Sequence, residues 1–245
     1  MDEKRMIEGR RPVLEALRAG TKISRVLLQK GSRGGPVDEI SNLAEKNDIP
    51  VEYWEKSALD KRAATRNHQG VMAETPPFHY VSFDELLSGR NGEAPFLVIL
   101  DHIQDPHNLG ALIRTAYASG CHGVVIPERR AAQVTPAAIR TSAGAAEYLP
   151  IARVVNLARC LDACKEAGLW VYGADMTGDS FYTEGDYRAG TVLVIGNEGE
   201  GLSRLVRDKC DHLIRLPMKG EVASLNASVA GALLLYEVFR QREEF

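Results

Sequence analysis

From Phe96 onward the chain contains a series of near-continuous apolar runs, and this feature restricts the fold more than any other. The runs are FLVILD, GVVIP, LPIARV, LWVYGAD, TVLVIG and HLIRLP. Strands that are apolar on both faces are typical of parallel sheets covered on both sides. Helical stretches lie between most of them, namely NLGALIRTAYASG, TPAAIRTSAGAAE, NLARCLDACKEAG and SRLVRDKC. The pattern predicts a doubly wound α/β domain whose ligand site lies off the carboxyl ends of the strands.

The segment before Phe96 has a different, less apolar pattern. GRRPVLEALRAG and PVDEISNLAEKND have helical periodicity and alternate with the strand-like ISRVLLQ and VEYW, followed by SALDKRAA and QGVMAE. Such alternation predicts a small α/β sandwich. The stretch TPPFHYVSFDELLSGRNGEAP, rich in Pro, Gly and Asn, indicates a linker with one helical turn. We therefore expect a first domain over residues 1–74, a linker over 75–95 and a second domain over 96–245.

Composition places the chain among globular proteins. Hydrophobic residues make up 44% and charged residues 26% of its 245 residues, and no window approaches the roughly 18 apolar residues that a membrane helix needs. The opening MDEKRMIEGRRPVLEALRAG lacks the apolar core of a signal peptide, so we expect a cytoplasmic protein that does not bind membranes.

The formal charge of −3 conceals an uneven distribution. Residues 1–70 contain 14 Lys and Arg and 11 Asp and Glu, a balance of +3, which leaves 16 against 22, a balance of −6, for the remainder. This asymmetry is compatible with a basic module that meets a polyanion beside a catalytic module that need not.

The four cysteines do not form a metal-binding pattern. Cys121, Cys160, Cys164 and Cys210 include no CxxC pair and have no His partner at zinc-ligand spacing. Cys160 and Cys164 would share one helix face, where small buried thiols are common. We expect reduced thiols and no metal site.

Polar side chains gather in three places, of which the first follows FLVILD. Asp101, Asp105, His107 and Asn108 crowd a strand end, and Arg114 lies six residues beyond Asn108 in the next predicted helix. A plain turn, a helix cap and a solvated arginine would explain this group. A functional site would explain it equally well, because α/β folds place chemistry at strand ends and the guanidinium fork suits phosphate.

The second place is LVIGNEGEGLSR, a glycine-rich loop directly after a predicted strand. Its spacing G-x-x-G-x-G differs from the G-x-G-x-x-G dinucleotide fingerprint, and Glu198 and Glu200 would repel a pyrophosphate. A cofactor with a positive centre fits better, although a glycine turn with two solvated glutamates is an alternative.

The third place is SLNASVAGALLLYE, which follows HLIRLPMKGEVA and begins with Ser224, Asn226 and Ser228. One helix N-cap needs only one such side chain, so the other two need a different explanation. Strand, glycine loop and capped helix again come in order. We therefore expect this loop at the same rim of the sheet as the other two.

Three segments of the chain resemble the motifs of a known family. NLGALIRTA, IGNEGEGLS and LPMKGEVASLNASVAGAL, in this order, resemble the three signature motifs of the SpoU (TrmH) family of RNA ribose 2′-O-methyltransferases. They span residues 108–232, which cover the second module. The first module is similar in strand and helix order to the L30e-like RNA-binding domain that several members carry. Its GRRPVLEAL and NHQGVMAE segments resemble those of members that methylate a guanosine ribose in the peptidyl-transferase region of 23S rRNA.

The resemblance implies a fold, a cofactor and partners. It implies a SPOUT-type α/β domain with a deep trefoil knot, S-adenosylmethionine as methyl donor, RNA as substrate, and a homodimer with the active site near the subunit interface. The apolar AGALLLYEVF suits such an interface, and core packing explains it equally well.

The resemblance also assigns roles by motif position. The catalytic-site positions are Asn108, Arg114, Glu198, Ser224 and Asn226, and backbone groups of Gly196, Leu216 and Leu225 would hold the cofactor. Ser228 remains an ordinary capping or packing residue. A guanidinium is a poor base at neutral pH, so we expect Arg114 to bind a phosphate and stabilise developing oxyanion charge. Glu198 would orient Arg114 or the ribose, while Asn108 and Asn226 would fix the loops or contact substrate.

Several alternatives remain open at the level of sequence. They are methylation of tRNA or of another rRNA site, including antibiotic-resistance methylation; a non-catalytic RNA-binding ribosome-assembly protein; and a nucleotide-dependent enzyme of ordinary doubly wound topology. His102 and His107 lie beside the first motif, and turn or supporting roles suit them better than catalysis. Candidate RNA contacts in the first module are Arg10, Arg11, Arg66 and His68, with a solvated surface as the default interpretation.

Overall fold

The computed structural model describes residues 5–63, 67–88, 92–220 and 224–243. Its strands are β1 (Arg5–Glu8), β2 (Arg25–Gln29), β3 (Val51–Trp54), β4 (Val71–Thr75), β5 (Phe96–Asp101), β6 (Gly123–Pro127), β7 (Ile151–Val154), β8 (Trp170–Ala174), β9 (Ser180–Phe181), β10 (Thr191–Gly196) and β11 (His212–Arg215). Its α-helices are α1 (Arg10–Arg18), α2 (Pro36–Lys46), α3 (Lys56–Arg62), α4 (Phe83–Ser88), α5 (Pro106–Ala118), α6 (Pro136–Thr141), α7 (Leu157–Glu166), α8 (Arg204–Lys209) and α9 (Ala227–Arg242).

The chain divides into two compact units. The first contains the residues up to His79 together with Val134–Tyr148, and the second contains Tyr80–Gln133 and Leu149–Phe245.

The first unit is built on a four-stranded mixed sheet in the order β1-β4-β2-β3. β4 is antiparallel to both of its neighbours, whereas β2 and β3 are parallel and are joined by the crossover helix α2. Helix α1 buries the apolar side chains of Val13, Leu14 and Leu17, which recur at helical spacing. These features confirm the small α/β unit that the sequence predicts.

Residues Val134–Tyr148 belong to this first unit although the apolar pattern placed them in the second module. The Thr21 hydroxyl donates to Glu147 Oε2 at 2.7 Å, and the Tyr148 hydroxyl donates to Glu15 Oε2 at 2.9 Å. A Cβ on Gly144 would lie 2.4 Å from Cβ of Glu15, so only glycine fits there. Strand periodicity carries no information about such long-range contacts.

The second unit is a seven-stranded parallel sheet in the order β7-β6-β5-β10-β8-β11-β9. The chain leaves β5 toward β6 and β7 on one side, and β10 returns to pair with β5 on the other. The two central strands therefore form a topological switch point, where Gly196 at the end of β10 lies opposite Asp101 at the end of β5. The structure confirms the doubly wound parallel α/β fold.

Strand β11 occupies an unusual place, because it pairs with β8 on one side and β9 on the other. Those two strands are consecutive in the chain, so the connection over residues 175–179 crosses β11. A Cβ on Gly178 would lie 2.5 Å from the Leu213 carbonyl oxygen, and Arg215 Nη1 donates to the Gly178 carbonyl at 2.8 Å. The crossing connection thus packs directly on the backbone of β11.

The segment predicted as a linker is partly ordered against the second unit. The helical turn expected there is α4, and its Leu86 is buried in the core beneath β5 and β6. Among the residues that the structure describes, no helix is long and apolar enough to cross a bilayer.

Candidate active site

The carboxyl ends of β8, β10 and β11 surround a cavity of about 320 Å³. This volume lies within the range of roughly 300 to 1,000 Å³ that is typical of small-molecule sites. Its floor is apolar and includes Ile195, Ile214 and Leu234, and its rim is formed by the loops that follow the three strands. The expected cofactor contacts Gly196, Leu216 and Leu225 all line this cavity, as do Glu198 and Ser224.

The glycine loop after β10 folds back on the end of its own strand. Asn197 pairs with Gly201, and the Asn197 side-chain oxygen accepts from the N–H groups of Gly199 and Glu200 at 2.9 and 2.7 Å. A Cβ on Gly196 would lie 2.2 Å from the carbonyl carbon of Gly201. Glycine is therefore required at position 196 by the returning loop itself, and the tight turn holds the loop at the cavity mouth.

Glu198 joins the three polar loops at one atom. Its Oε1 accepts from Asn108 Nδ2 at 2.7 Å, from Asn226 Nδ2, and from the Ala227 main-chain N–H at 3.2 Å. Asn226 Nδ2 also donates to Asn108 Oδ1 at 3.1 Å. The structure therefore brings together Asn108 at the start of α5, Glu198 in the glycine loop and Asn226 at the start of α9.

The structure at the start of α9 explains why SLNAS contains three polar side chains. Asn226 is the N-cap, since its Oδ1 accepts from the N–H groups of Ser228 and Val229. The Ser228 hydroxyl donates to the same oxygen at 2.6 Å, so Ser228 supports the cap rather than forming it. Ser224 is exposed at the cavity rim. Asn226 thus combines capping, which was expected of Ser228, with the contact to Glu198, and the active-site role of Ser224 stays a prediction.

Asp101 anchors the glycine loop from the neighbouring strand. Its side chain is fully buried at the end of β5, and Oδ2 accepts from the Ser203 N–H at 2.6 Å. The other oxygen contacts His102 Nδ1, and His102 adopts a left-handed backbone conformation. Asp105 is the N-cap of α5 and accepts from the His107 N–H. His102 lies in the turn after β5 and His107 in the first turn of α5, and the supporting roles expected for both stay predictions.

Arg114 is not part of the Glu198 junction. It is exposed on α5, two turns beyond Asn108, and it has no hydrogen-bond or ion-pair partner among the described residues. Of the two roles expected for Glu198, no contact in this structure supports the orienting of Arg114, because Glu198 accepts from the two asparagines, and the orienting of the ribose stays a prediction. A free guanidinium fork remains available to a phosphate.

The cavity is acidic. Asp175, Glu198 and Glu200 line it, and no Lys or Arg does so among the residues that the structure describes. Asp175 is neutralised by Arg207, with 3.3 Å between Oδ2 and Nε, whereas Glu198 is held only by amide donors. A net negative lining favours a ligand with a positive centre and disfavours a pyrophosphate.

Part of the cavity wall was not predicted from the sequence. Asp175 and Met176 follow β8, and Met218 follows β11. The rule that ligands lie off the carboxyl ends of parallel strands could have identified them, because GAD directly follows the apolar run LWVY.

Outside the cavity, one candidate RNA contact is wrong. His68 is buried, its Nε2 lies 2.8 Å from Asp60 Oδ1, and its Nδ1 accepts from the Gly70 N–H. Arg10 and Arg11 are accessible at the start of α1, and Arg66 lies outside the described residues.

The cysteines are free thiols. Cys160 and Cys164 are both buried on one face of α7, as predicted. Burial raises the pKa of Cys121 and of Cys210 to about 12, so neither is a reactive thiolate at neutral pH. In the described part of the chain, no group of three or more His, Cys, Asp or Glu side chains is arranged to hold a metal ion.

Two family models match the chain. Residues 95–236 match the model described as the SpoU rRNA methylase family, and residues 6–81 match the model for RNA 2′-O ribose methyltransferase substrate binding. A relative from Bacillus subtilis assigned to the TrmH family of tRNA/rRNA methyltransferases is 44% identical over 236 residues. That alignment covers 96% of this chain and 94% of the relative.

Two solved structures share the architecture along nearly the whole chain. The SpoU methyltransferase AviRb from Streptomyces viridochromogenes, in complex with AdoMet, has a TM-score of 0.83 at 28% identity and covers 98% of this chain and 90% of its own. An AdoMet-bound rRNA methyltransferase from Sinorhizobium meliloti has a TM-score of 0.83 at 26% identity, with 98% and 88% covered.

Proposed function

Because the chain belongs to the SpoU rRNA methylase family, we propose that it methylates the ribose 2′-hydroxyl of a guanosine in the peptidyl-transferase region of 23S rRNA. The enzyme is an RNA 2′-O-ribose methyltransferase and its methyl donor is S-adenosylmethionine. Ribosomal RNA as substrate implies the cytoplasm as the place of action.

A single observation carries the proposal. Glu198 Oε1 ties the starts of α5 and α9 to the glycine loop, and this junction lies beside the acidic cavity. Three loops from distant parts of the sequence are thereby fixed at the topological switch of the sheet. Such fixed geometry is what a transfer between two bound reactants requires, since alignment can lower a barrier by up to roughly 7 to 11 kcal/mol.

The residues of the cavity fit S-adenosylmethionine. The apolar floor suits the adenosine and the methionine methylenes. The carboxylates of Glu198 and Glu200, which have no ion-pair partner among the described residues, suit a sulfonium. Main-chain groups of Gly196, Leu216 and Leu225 would hold the cofactor at the rim. When bound there, the cofactor supplies an electrophilic methyl group.

The side chains around the cavity would bind the substrate and stabilise the charge that develops during transfer. Asn108 and Asn226 would keep Glu198 in place and hydrogen-bond the substrate nucleotide, and Ser224 would contact it from the exposed rim. Arg114 would bind a phosphate next to the target ribose through its free fork and stabilise negative charge that develops on the 2′-oxygen.

Two features support a knotted second domain and an L30e-like first domain. β11 runs between the consecutive strands β8 and β9, beneath the connection that contains Gly178. This crossing is the element that a trefoil knot needs, and we propose that the domain over residues 96–245 is knotted in the SPOUT manner. The mixed sheet of the first unit and its substrate-binding match support an L30e-like RNA-binding domain over residues 1–74, followed by the linker 75–95.

We also propose that the protein is a homodimer. Val229, Leu233 and Tyr236 lie at helical spacing on α9 and are 49%, 44% and 50% exposed. They line an open groove with Ala232, Phe239 and Tyr182. An exposed apolar stripe on a helix that begins at the active site suits a second copy whose α9 packs against it.

Ribosomal RNA is a better candidate than tRNA because a separate substrate-binding unit precedes the catalytic one and the matching family model is an rRNA methylase model. Antibiotic-target rRNA is the second candidate, since a separate substrate-binding unit is compatible with that substrate as well.

The proposal is tested by incubating the protein with methyl-labelled S-adenosylmethionine and unmodified 23S rRNA, 16S rRNA and tRNA transcripts. Label on one guanosine ribose of 23S rRNA, mapped by resistance to nuclease, is the expected result. Label on tRNA alone would show that tRNA, and not 23S rRNA, is the substrate. Failure to bind the cofactor would leave only an RNA-binding role.

A further inference from the structure

One edge of the sheet in the first unit collects loops from four separate parts of the sequence. The carboxyl ends of β1, β2 and β3 lie beside the amino end of β4, as the strand registers show. Three main-chain hydrogen bonds tie these loops together: Gly9 N to Val71 O, Gln29 N to Gly70 O, and Lys30 N to Trp54 O. Helices α1, α2 and α3 all begin at this edge.

Basic side chains dominate the edge. They come from the start of α1, from the loop QKGSRGG after β2, and from the start of α3. The set is Arg10, Arg11, Lys30, Arg33 and Lys56. Arg11, Arg33 and Lys56 are exposed, and none of them has a hydrogen-bond or ion-pair partner within the described residues.

The carboxylates at the same edge are fewer and mostly engaged. Glu55 pairs with Lys30 at 2.8 Å, and Asp60 contacts the buried His68. Glu8 is buried, and Asp38, in the first turn of α2, is exposed without an ion-pair partner among the described residues. Positive charge therefore exceeds negative charge at the solvent-facing surface.

The loop between β2 and α2 leaves its main chain open. Gly34 and Gly35 adopt positive φ angles, and a Cβ at either position would meet nothing within 4 Å. Packing against neighbouring atoms therefore does not require glycine at these positions. The backbone beside Arg33 is uncovered, so its N–H groups can approach a ligand.

We infer that this edge, defined by Arg10, Arg11, Arg33 and Lys56 and called here the basic edge, binds the phosphate backbone of the RNA substrate. Unpaired guanidinium groups and open main-chain N–H groups are the standard donors to phosphate. Bases would stack little there, because the nearest aromatic side chains are Tyr53 and the partly buried Trp54. The inference rests on the proposed RNA methyltransferase function and adds the surface that holds the RNA.

The opposite edge of the same sheet offers a matched control. Lys22, before β2, and Lys46, at the end of α2, are exposed and have no ion-pair partner in the described part of the chain. The double variant Lys22→Gln/Lys46→Gln therefore removes the same charge as Arg11→Gln/Arg33→Gln from the same unit. Neither pair removes a contact of the folded protein, and circular dichroism melting checks that both variants fold.

The experiment measures the affinity of the full chain for a fluorescein-labelled transcript of the peptidyl-transferase region of 23S rRNA, as a function of KCl concentration. We expect Arg11→Gln/Arg33→Gln to bind about tenfold more weakly near 0.1 M KCl and to lower the slope of log K against log salt by about 1.5. Each phosphate contact contributes roughly 0.7 to 0.9 to that slope. KM for RNA should rise while kcat and cofactor affinity stay within about twofold.

An unchanged slope in the basic-edge variant would overturn the inference, and so would equal losses in both double variants, which would indicate diffuse charge. Wild-type protein that binds no RNA at low salt would also overturn it. Methyl transfer by the wild-type protein is measured separately. If the basic edge does not bind RNA, the proposed activity is unaffected, and if no methyl transfer occurs, the binding measurement still tests the basic edge.

Discussion

At the scale of single residues, Gly196 shows how a loop can impose its own requirement on the sequence. The residue lines the cavity, but the atoms closest to an added Cβ belong to Gly201 and Leu202, at 2.2 to 2.6 Å. These are backbone atoms, which cannot move aside as a flexible side chain could. The loop can fold back over the end of β10 only if position 196 has no side chain.

We predict that Gly196→Ala destabilises the protein by about 1 to 3 kcal/mol and weakens cofactor binding, because the returning loop must move. Gly199→Ala is the matched control in the same loop, since its Cβ would meet only the Asn197 side-chain oxygen at 3.7 Å. Its stability should change by less than about 0.5 kcal/mol. Urea unfolding of the two variants checks this, and equal stability would show that the turn tolerates a side chain.

Arg114 presents the opposite case, a side chain that the folded protein does not use. We predict that Arg114→Lys, which keeps the charge and loses the planar fork, lowers kcat about 100-fold while cofactor affinity stays within about twofold. Single-turnover methyl transfer together with calorimetric cofactor titration measures both quantities. Near-normal turnover of the lysine variant would contradict a bidentate phosphate clamp.

At the scale of elements, the sequence predicts most of the strands and helices in the second unit. FLVILD and TVLVIG coincide with β5 and β10, because both are buried on two faces and bounded by polar turns. β9 escapes prediction because Ser180 and Phe181 form only two exposed residues of strand. β1 escapes because RMIE is short and lies directly before a helix.

The candidate site was predictable in part and for a clear reason. Parallel strands bring their following loops to one rim, so Asn108, Glu198 and Asn226 could be expected to lie near one another. Their shared hydrogen-bond junction at Glu198 could not be derived, because it depends on loop conformations and side-chain rotamers. The isolation of Arg114 depends on the same details.

Arg242 attaches the C-terminal end of α9 to the rest of the second unit. Its guanidinium donates to four main-chain carbonyl groups, those of Tyr187, Ala94, Pro95 and Ala189, at 2.6 to 3.0 Å. Burial lowers the pKa of Arg242 from its ordinary value, as expected for a cation held by neutral carbonyl groups. This one side chain fastens the helix to the segments that enter β5 and β10.

We predict that Arg242→Met destabilises the second unit by about 2 to 3 kcal/mol, because hydrogen bonds from a charged donor to partly buried carbonyl groups are lost. Arg204→Met, at a side chain that is 93% exposed, is the control and should change stability by less than about 0.5 kcal/mol. Chemical unfolding curves decide between them, and similar midpoints for the two variants would refute the role of Arg242.

At the scale of the whole molecule, the proposed homodimer depends on the exposed stripe on α9. We predict that Leu233→Asp converts a dimer into a 26.9 kDa monomer, because a carboxylate would be buried without a partner in the interface. Val155→Asp is the control, since Val155 is 83% exposed and lies away from the stripe. Sedimentation equilibrium gives the masses, and a monomeric wild-type protein would contradict the proposal.

The proposed function depends on the identity of the methylated ribose. The most direct measurement is mass-spectrometric mapping of 2′-O-methylation in 23S rRNA from cells that lack this gene, complemented with the wild-type protein or with Arg114→Ala. We expect one guanosine in the peptidyl-transferase region to lose its methyl group and to regain it only with the wild-type protein. A methylation map of 23S rRNA that is identical with and without the gene would contradict the account.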